Sequence, residues 1–200
     1  MSRREKESVE KIKSISATLF REKGYEGSTV RDIASACEIL PGSLHYRFAS
    51  KEDLLMAIME GAFERTFTDL RESVKGPHDP AIRLKRATLT YLHALLTHDD
   101  LYVLMHEGRS LEGQSFERVK VLRMRLQSFF DGLFYQIEGA GYLDTIVEVE
   151  VLRQLWISTL HGITQWYTAT SGMSADQAAE LYWKLLTSGL FSHVPSDPAE

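Results

Sequence analysis

Residues 29–48 read Thr29-Val30-Arg31-Asp32-Ile33-Ala34-Ser35-Ala36-Cys37-Glu38-Ile39-Leu40-Pro41-Gly42-Ser43-Leu44-His45-Tyr46-Arg47-Phe48. The stretch resolves into two short helices joined by a tight turn. Thr29 offers an N-cap hydroxyl and Asp32 follows three residues on, the arrangement of a capping box with Asp in place of Glu. That helix is predicted to reach about Cys37, and Glu38-Ile39-Leu40 forms the turn. Pro41, with its fixed φ and missing N–H, suits the first turn of the second helix, which is predicted to end near Phe48. Ile33, Ala34, Cys37, Ile39, Leu44 and Phe48 can close a small core, leaving Pro41, Gly42, Ser43, His45, Tyr46 and Arg47 outward.

A short helix with small residues at its N-terminal end and polar groups beyond fits a DNA major groove, which is about 12 Å wide. Gly42 and Ser43 let the helix backbone approach the groove, and Ser43 and His45 are placed to meet base edges. Tyr46 and Lys51 suit phosphate oxygens. Thr29 does too, because a helix N-terminus presents free N–H groups and a favourable dipole to anions. Any three-helix bundle contains such a turn, so the pattern by itself also allows a plain structural bundle.

Outward from this segment the chain reads as helical almost throughout, with apolar residues at helical spacing and little strand-like alternation. Residues 7–23 set Val9, Ile12, Ile15, Ser16, Leu19 and Phe20 on one stripe, and Gly24 ends that helix. Ser50-Lys51-Glu52-Asp53 opens a long fourth helix with a cap and an acidic first turn. Further helices are predicted at 80–97 (Asp79 as cap, Pro80 at its first position), from Asp99 or Asp100 to about Gly108, to about Glu138 after a 108–115 loop, from an Asp144 cap to about Thr170, and from a Ser174/Gln177 capping box to about Phe191. The expectation is an all-α protein of about nine helices. It comprises a helix-turn-helix domain over residues 1–50, a larger helical domain over 51–193, whose ligand-binding and dimerisation role is implied only by a family resemblance, and a flexible tail over 194–200.

Composition bounds the rest. With 44% hydrophobic and 26% charged residues, the 200-residue chain is ordinary for a globular protein with a real core. Its net charge of −5 is unevenly placed. Residues 1–60 hold ten basic and ten acidic groups, so the acidic excess lies entirely in the body. Nucleic acid is compatible with a neutral head only if its cations gather on one face. No apolar run approaches the roughly 18–20 residues of a membrane span, and the charged start Met1-Ser2-Arg3-Arg4-Glu5-Lys6 reads as neither anchor nor secretory signal, so a cytoplasmic protein is expected. Cys37, the single cysteine, cannot form an intrachain disulfide and reads as a core residue. An enzyme would need chemistry that is hard to find: there is no Gly-x-Ser-x-Gly, no phosphate-cradling glycine loop and no His-Glu-x-x-His. His93 and His98 have no evident third ligand, so neither a metal nor a cofactor is expected.

The runs Thr29 to Ala34 and Gly42-Ser43-Leu44-His45-Tyr46-Arg47-Phe48-Ala49-Ser50-Lys51-Glu52-Asp53-Leu54, preceded by Phe20-Arg21-Glu22-Lys23-Gly24-Tyr25, resemble the TetR family of bacterial regulators. The motifs cover about residues 8–58, and the nine-helix layout extends the likeness more weakly to the whole chain. Three positions depart from the pattern. His45 stands where the family usually has tyrosine. Glu38 stands at the turn glycine. Leu40 replaces the usual serine or threonine, leaving the third helix without a side-chain cap.

The resemblance implies a dimer that binds operator DNA and is released by a small-molecule effector, with repression as the default. It also implies a pocket among the middle helices and an interface from the last two. Phe63, Phe67, Phe129, Trp156 and Trp166 are candidate apolar lining. His106, Arg109 and Arg125 are candidate partners for a carboxylate or phosphate, although the same residues at helical spacing also serve as core or solvated surface. Leu152, Leu160 and Ile163 on the eighth helix, with Leu181, Leu185 and Gly189 on the ninth, are candidate interface residues; the alternative is that they fill the protomer's own core. The turn Ile39-Leu40-Pro41-Gly42-Ser43-Leu44, together with Trp166-Tyr167, looks like a branch whose members answer acyl-CoA thioesters. The rival readings are a ligand-blind helical interaction protein and a helical enzyme.

Overall fold

A computed structural model describes residues 3–76, 78–143, 148–167 and 172–188. Among them are nine α-helices: α1 (Arg3–Lys23), α2 (Val30–Ala36), α3 (Pro41–Arg47), α4 (Lys51–Ser73), α5 (Pro80–Thr97), α6 (Asp99–His106), α7 (Gly113–Gly139), α8 (Val149–Tyr167) and α9 (Ala175–Thr187). No helix among the described residues is long and apolar enough to cross a membrane. The expected Asp144 cap, Gly189, the tail 194–200 and the side chain of Trp166 lie outside the described residues.

The helix ends follow local chemistry. α1 starts six residues before the first residue of its apolar stripe, supported by an Arg3–Glu7 pair at i,i+4. It stops at Gly24, whose φ of +76° lets its N–H reach the Phe20 carbonyl at 2.9 Å. The Ser174/Gln177 capping box is formed and opens α9. The expected 108–115 loop is shorter and more ordered than the sequence suggested: a 3₁₀ turn spans Glu107–Ser110 and α7 begins at Gly113. Its physical cause is Arg123, whose guanidinium donates to the carbonyls of Leu104 (2.9 and 2.6 Å) and Met105 (2.8 Å). Those carbonyls end α6 and would otherwise lack partners.

The chain folds as two compact units, Met1–Arg65 with His98–Arg123, and Thr66–Thr97 with Met124–Glu200. The chain passes between them after residues 65, 97 and 123. The first unit reaches beyond the three N-terminal helices because α6 is fastened to them. Asp99 accepts from Arg21 (2.8 Å) and Thr18 (2.6 Å), Arg65 clasps Asp100 through both nitrogens, and Glu107 accepts from the Tyr25 N–H at 3.1 Å. The core of this unit is Ile12, Ala17, Phe20, Ile33, Ala34, Leu44, Leu54 and Ile58, with Phe20 and Tyr25 meeting edge to face at 5.4 Å. In the second unit α5 packs on α9 and α8. Its aromatic core runs from Phe134 through Trp156 to Trp183 in edge-to-face contacts of 5.4 and 5.7 Å.

Candidate nucleic-acid interface

The candidate interface is built on α2, its turn and α3. Thr29 caps α2 as read from the sequence: its hydroxyl accepts from the Asp32 N–H at 3.1 Å, and the Asp32 carboxylate accepts from the Thr29 N–H at 2.9 Å and from the Thr29 hydroxyl. These bonds hold the Asp32 carboxyl below its usual range, the side-chain bond from Thr29 contributing most. At the other end, Ile39 N–H bonds to the Ala34 carbonyl and Glu38 N–H to that of Ser35, both at 3.0 Å, the two bonds of a Schellman turn. Glu38 is the residue in the left-handed region, at φ +57°. A side chain there is strained, which is why the position suits glycine. Cys37 is buried, and burial pushes its thiol upward, away from reactivity.

α3 follows with Leu40 as N-cap and Pro41 in its first turn, and Leu40 makes no side-chain cap. Leu44 and Phe48 face the core. The outward side carries Pro41, Gly42, His45 and Tyr46, the last 87% exposed, with Ser43 half-buried beside them. These five of the eight proposed contact residues lie side by side on α3.

The other three candidates are committed to internal contacts. Arg47 donates to the Ser43 carbonyl at 3.1 Å. The exposed Thr29 has its hydroxyl engaged in the capping box, so the group it leaves for an anion is the N-terminus of α2. The Lys51 ammonium donates to the carbonyls of Tyr25 (3.0 Å) and Ser28 (3.1 Å) and sits 4.0 Å from the centre of the Tyr25 ring. Lys51 thus ties the start of α4 to the α1–α2 loop, a role that depends on a 26-residue separation and has no sequence signature. A further exposed cation of the motif, not among the contact residues proposed from the sequence, is Arg31 in the first turn of α2. A cation there opposes the helix dipole, and that conflict was the available signal.

The pocket candidates divide between the two units. In the first, Phe63 is fully buried. His106 stacks on Tyr102 (4.1 Å) and bonds through Nδ1 with the Tyr102 carbonyl at 2.9 Å, while Arg109 is exposed. In the second, Phe67 meets Phe129 at 5.9 Å and Arg125 lies 5.2 Å from the Phe67 ring, so these three are brought together. Trp156 is buried in its own aromatic cluster. A polar pair that sequence reasoning did not single out, Tyr91 and His161, is joined at 2.8 Å inside this unit.

The interface candidates separate by helix. Leu152, Leu160 and Ile163 are buried within the protomer, because the most apolar stripe of α8 is the one that packs on its own unit. On α9, Leu181 and Leu185 are exposed, and among the described side chains of α8 Val151 and Leu155 are large apolar residues left exposed.

Residues 15–58 match the family described as "Bacterial regulatory proteins, tetR family", and residues 77–190 match "Tetracyclin repressor-like, C-terminal domain". The chain belongs to the TetR family. Among curated relatives of this TetR-family chain, the HTH-type transcriptional repressor KstR2 of Rhodococcus jostii is 28% identical over 180 residues, 89% of this chain and 88% of that protein. The solved ketosteroid transcriptional regulator KstR2 of Mycobacterium tuberculosis has the same fold, with a TM-score of 0.83, 24% identity, and coverage of 96% of this chain and 97% of that one. The structure of AibR in complex with isovaleryl coenzyme A and operator DNA matches with a TM-score of 0.80 and 22% identity, covering 89% of this chain and 97% of AibR.

Proposed function

We propose that this TetR-family chain is a dimeric repressor that reads a palindromic operator with α3 and leaves it when a small amphipathic effector binds. The observation that carries the reading is the outward face of α3. Its Pro41, Gly42, His45 and Tyr46 are exposed and close to Ser43, while the same seven-residue helix is pinned from behind by Leu44 and Phe48. On this reading Ser43 and His45 contact base edges, and Tyr46, Arg31 and the N-terminus of α2 contact phosphate. Acting by binding, the protein needs no catalytic group, and it works in the compartment that holds the DNA.

Two-fold pairing through α8 and α9 supplies the second recognition helix. Val151, Leu155, Leu181 and Leu185 form its apolar part, since Leu155 (55%) and Leu185 (66%) are too exposed to serve the protomer's own core. An acyl-CoA thioester is the effector class we favour: KstR2 proteins are named repressors, and AibR, which shares this fold, was solved with isovaleryl coenzyme A. Arg125 beside Phe67 and Phe129 combines the cation and apolar surface that such a ligand requires. Release is a population shift, with a coupling of about 1–3 kcal/mol typical for such systems. The lever is α4, a continuous helix that contributes residues to both units.

The test is selection of bound duplexes from random DNA at moderate salt, followed by titration of the complex with acyl-CoAs, free acids and CoA. A palindrome with half-sites about 34–36 Å apart, or a multiple of that, is expected, together with release by a thioester. Failure of the folded dimer to enrich any sequence overturns the operator reading. Enrichment with no release by any thioester overturns only the effector class.

A further inference from the structure

We propose that Leu40 reads the 5-methyl group of a thymine in each operator half-site, making the N-terminal edge of α3 an apolar specificity contact. The inference rests on the placement of α3 in the major groove given above. A single exposed leucine is ordinary on a protein surface, so its 76% exposure counts for little alone. What singles it out is its position. Leu40 is the N-cap of α3, at φ −72° and ψ 144°, with no side-chain cap hydrogen bond. Serine, threonine, asparagine or aspartate stabilises that position, whereas leucine is among the poorest choices. Thr29 and Ser174 follow the rule and close full capping boxes, whereas His98, which opens α6, makes no side-chain cap but is a polar residue; Leu40 is the apolar N-cap among these four. The Leu40 carbonyl accepts the Ser43 N–H at 2.9 Å, so the backbone fixes the turn without using the side chain.

Two residues on, the same conflict recurs. Gly42 lies inside a helix, where glycine is unfavourable. A Cβ built there meets nothing within 4 Å, so no internal packing requires its absence. Leu40 and Gly42 therefore both sacrifice local stability with no return inside the protomer, and such violations gather at functional sites. Between them stands exposed Pro41, so this edge presents apolar surface and no side-chain hydrogen-bonding group. In the major groove the apolar feature that distinguishes one base from another is the thymine methyl, while guanine, adenine and cytosine offer donors and acceptors that leucine cannot use. The chemistry of the edge thus selects its ligand.

The experiment uses the full-length protein and the duplex it selects from random DNA, with each thymine replaced in turn by deoxyuridine, which lacks only the methyl. Symmetry-related thymines are expected at which uracil weakens wild-type binding about three- to fivefold per half-site, the value of burying one methyl group. In Leu40→Ser the same replacement is expected to change binding less than about 1.5-fold, no more than about a third of the methyl-burial free energy at one half-site, while its thermal midpoint stays at or above wild type because serine restores the cap. A wild-type protein indifferent to every uracil, or a Leu40→Ser variant that still discriminates, overturns the inference and leaves the operator reading standing. Failure to enrich any duplex overturns both.

Discussion

Replacing Lys51 distinguishes an internal tie from a phosphate contact, because the two roles predict opposite changes in two measurements. The ammonium makes two hydrogen bonds to carbonyls, at 3.0 and 3.1 Å, and lies 4.0 Å from the Tyr25 ring centre. A hydrogen bond to a charged group is worth about 1.5–3 kcal/mol, and a cation over an aromatic face about 0.5–1 kcal/mol. The side chain is only half-buried, so water replaces part of what is lost, and the net cost of Lys51→Met is about 2 kcal/mol. For a chain of this length that is a fall of about 4–8 °C in the thermal midpoint, measured at fixed protein concentration because dimerisation contributes to stability. Methionine keeps the apolar stem, so the loss belongs to the charge. A lysine that neutralised a phosphate would instead reduce the salt dependence of DNA affinity by about one counterion. The expected result is lowered stability with an unchanged slope of log affinity against log salt. An unchanged midpoint with a slope reduced by about one would refute the internal role.

Three further outcomes are expected. Thr29→Ala should cost about 1 kcal/mol by removing the cap of α2, read by chemical denaturation. Because the Asp32 carboxyl is held below its usual range, its contribution is complete above the unfolded-state value and fades as pH falls through the lowered folded-state value, so the gap between wild type and Thr29→Ala should narrow in acid. Glu38→Gly should stabilise by about 0.5–1 kcal/mol, since it relieves a left-handed side chain at φ +57° and gives back only part of that in chain entropy; a destabilised variant would show the turn is held by something other than its backbone. Leu185→Asp, at a position 66% exposed in the protomer, should leave the protomer folded yet shift sedimentation from dimer to monomer, and a stable dimer would move the interface elsewhere.

The sequence by itself determined what depends on near neighbours in the chain. The Thr29–Asp32 and Ser174–Gln177 boxes, the stop at Gly24, Pro41 in the first turn of α3, and the bare cap at Leu40 all follow from hydrogen bonds and dihedral limits a few residues in range. The outward face of α3 was legible for the same reason, because burying Leu44 within the seven-residue helix and Phe48 at its C-cap leaves their neighbours little choice. Tertiary structure alone decided what a shared side chain does when several partners compete for it. Lys51 was taken by carbonyls 23 and 26 residues away. Arg123 ordered the segment after α6 by reaching back 19 residues to Leu104. Leu152, Leu160 and Ile163 turned inward while Leu155 stayed out, since periodicity shows that a helix has an apolar side but not whether a core or a partner covers it. The first unit recruited α6 through Arg21, Thr18 and Arg65, contacts that span 35 to 81 residues. Local chemistry sets helices and caps. Long-range competition for charges and apolar surface sets their company, and no pattern along the chain records it.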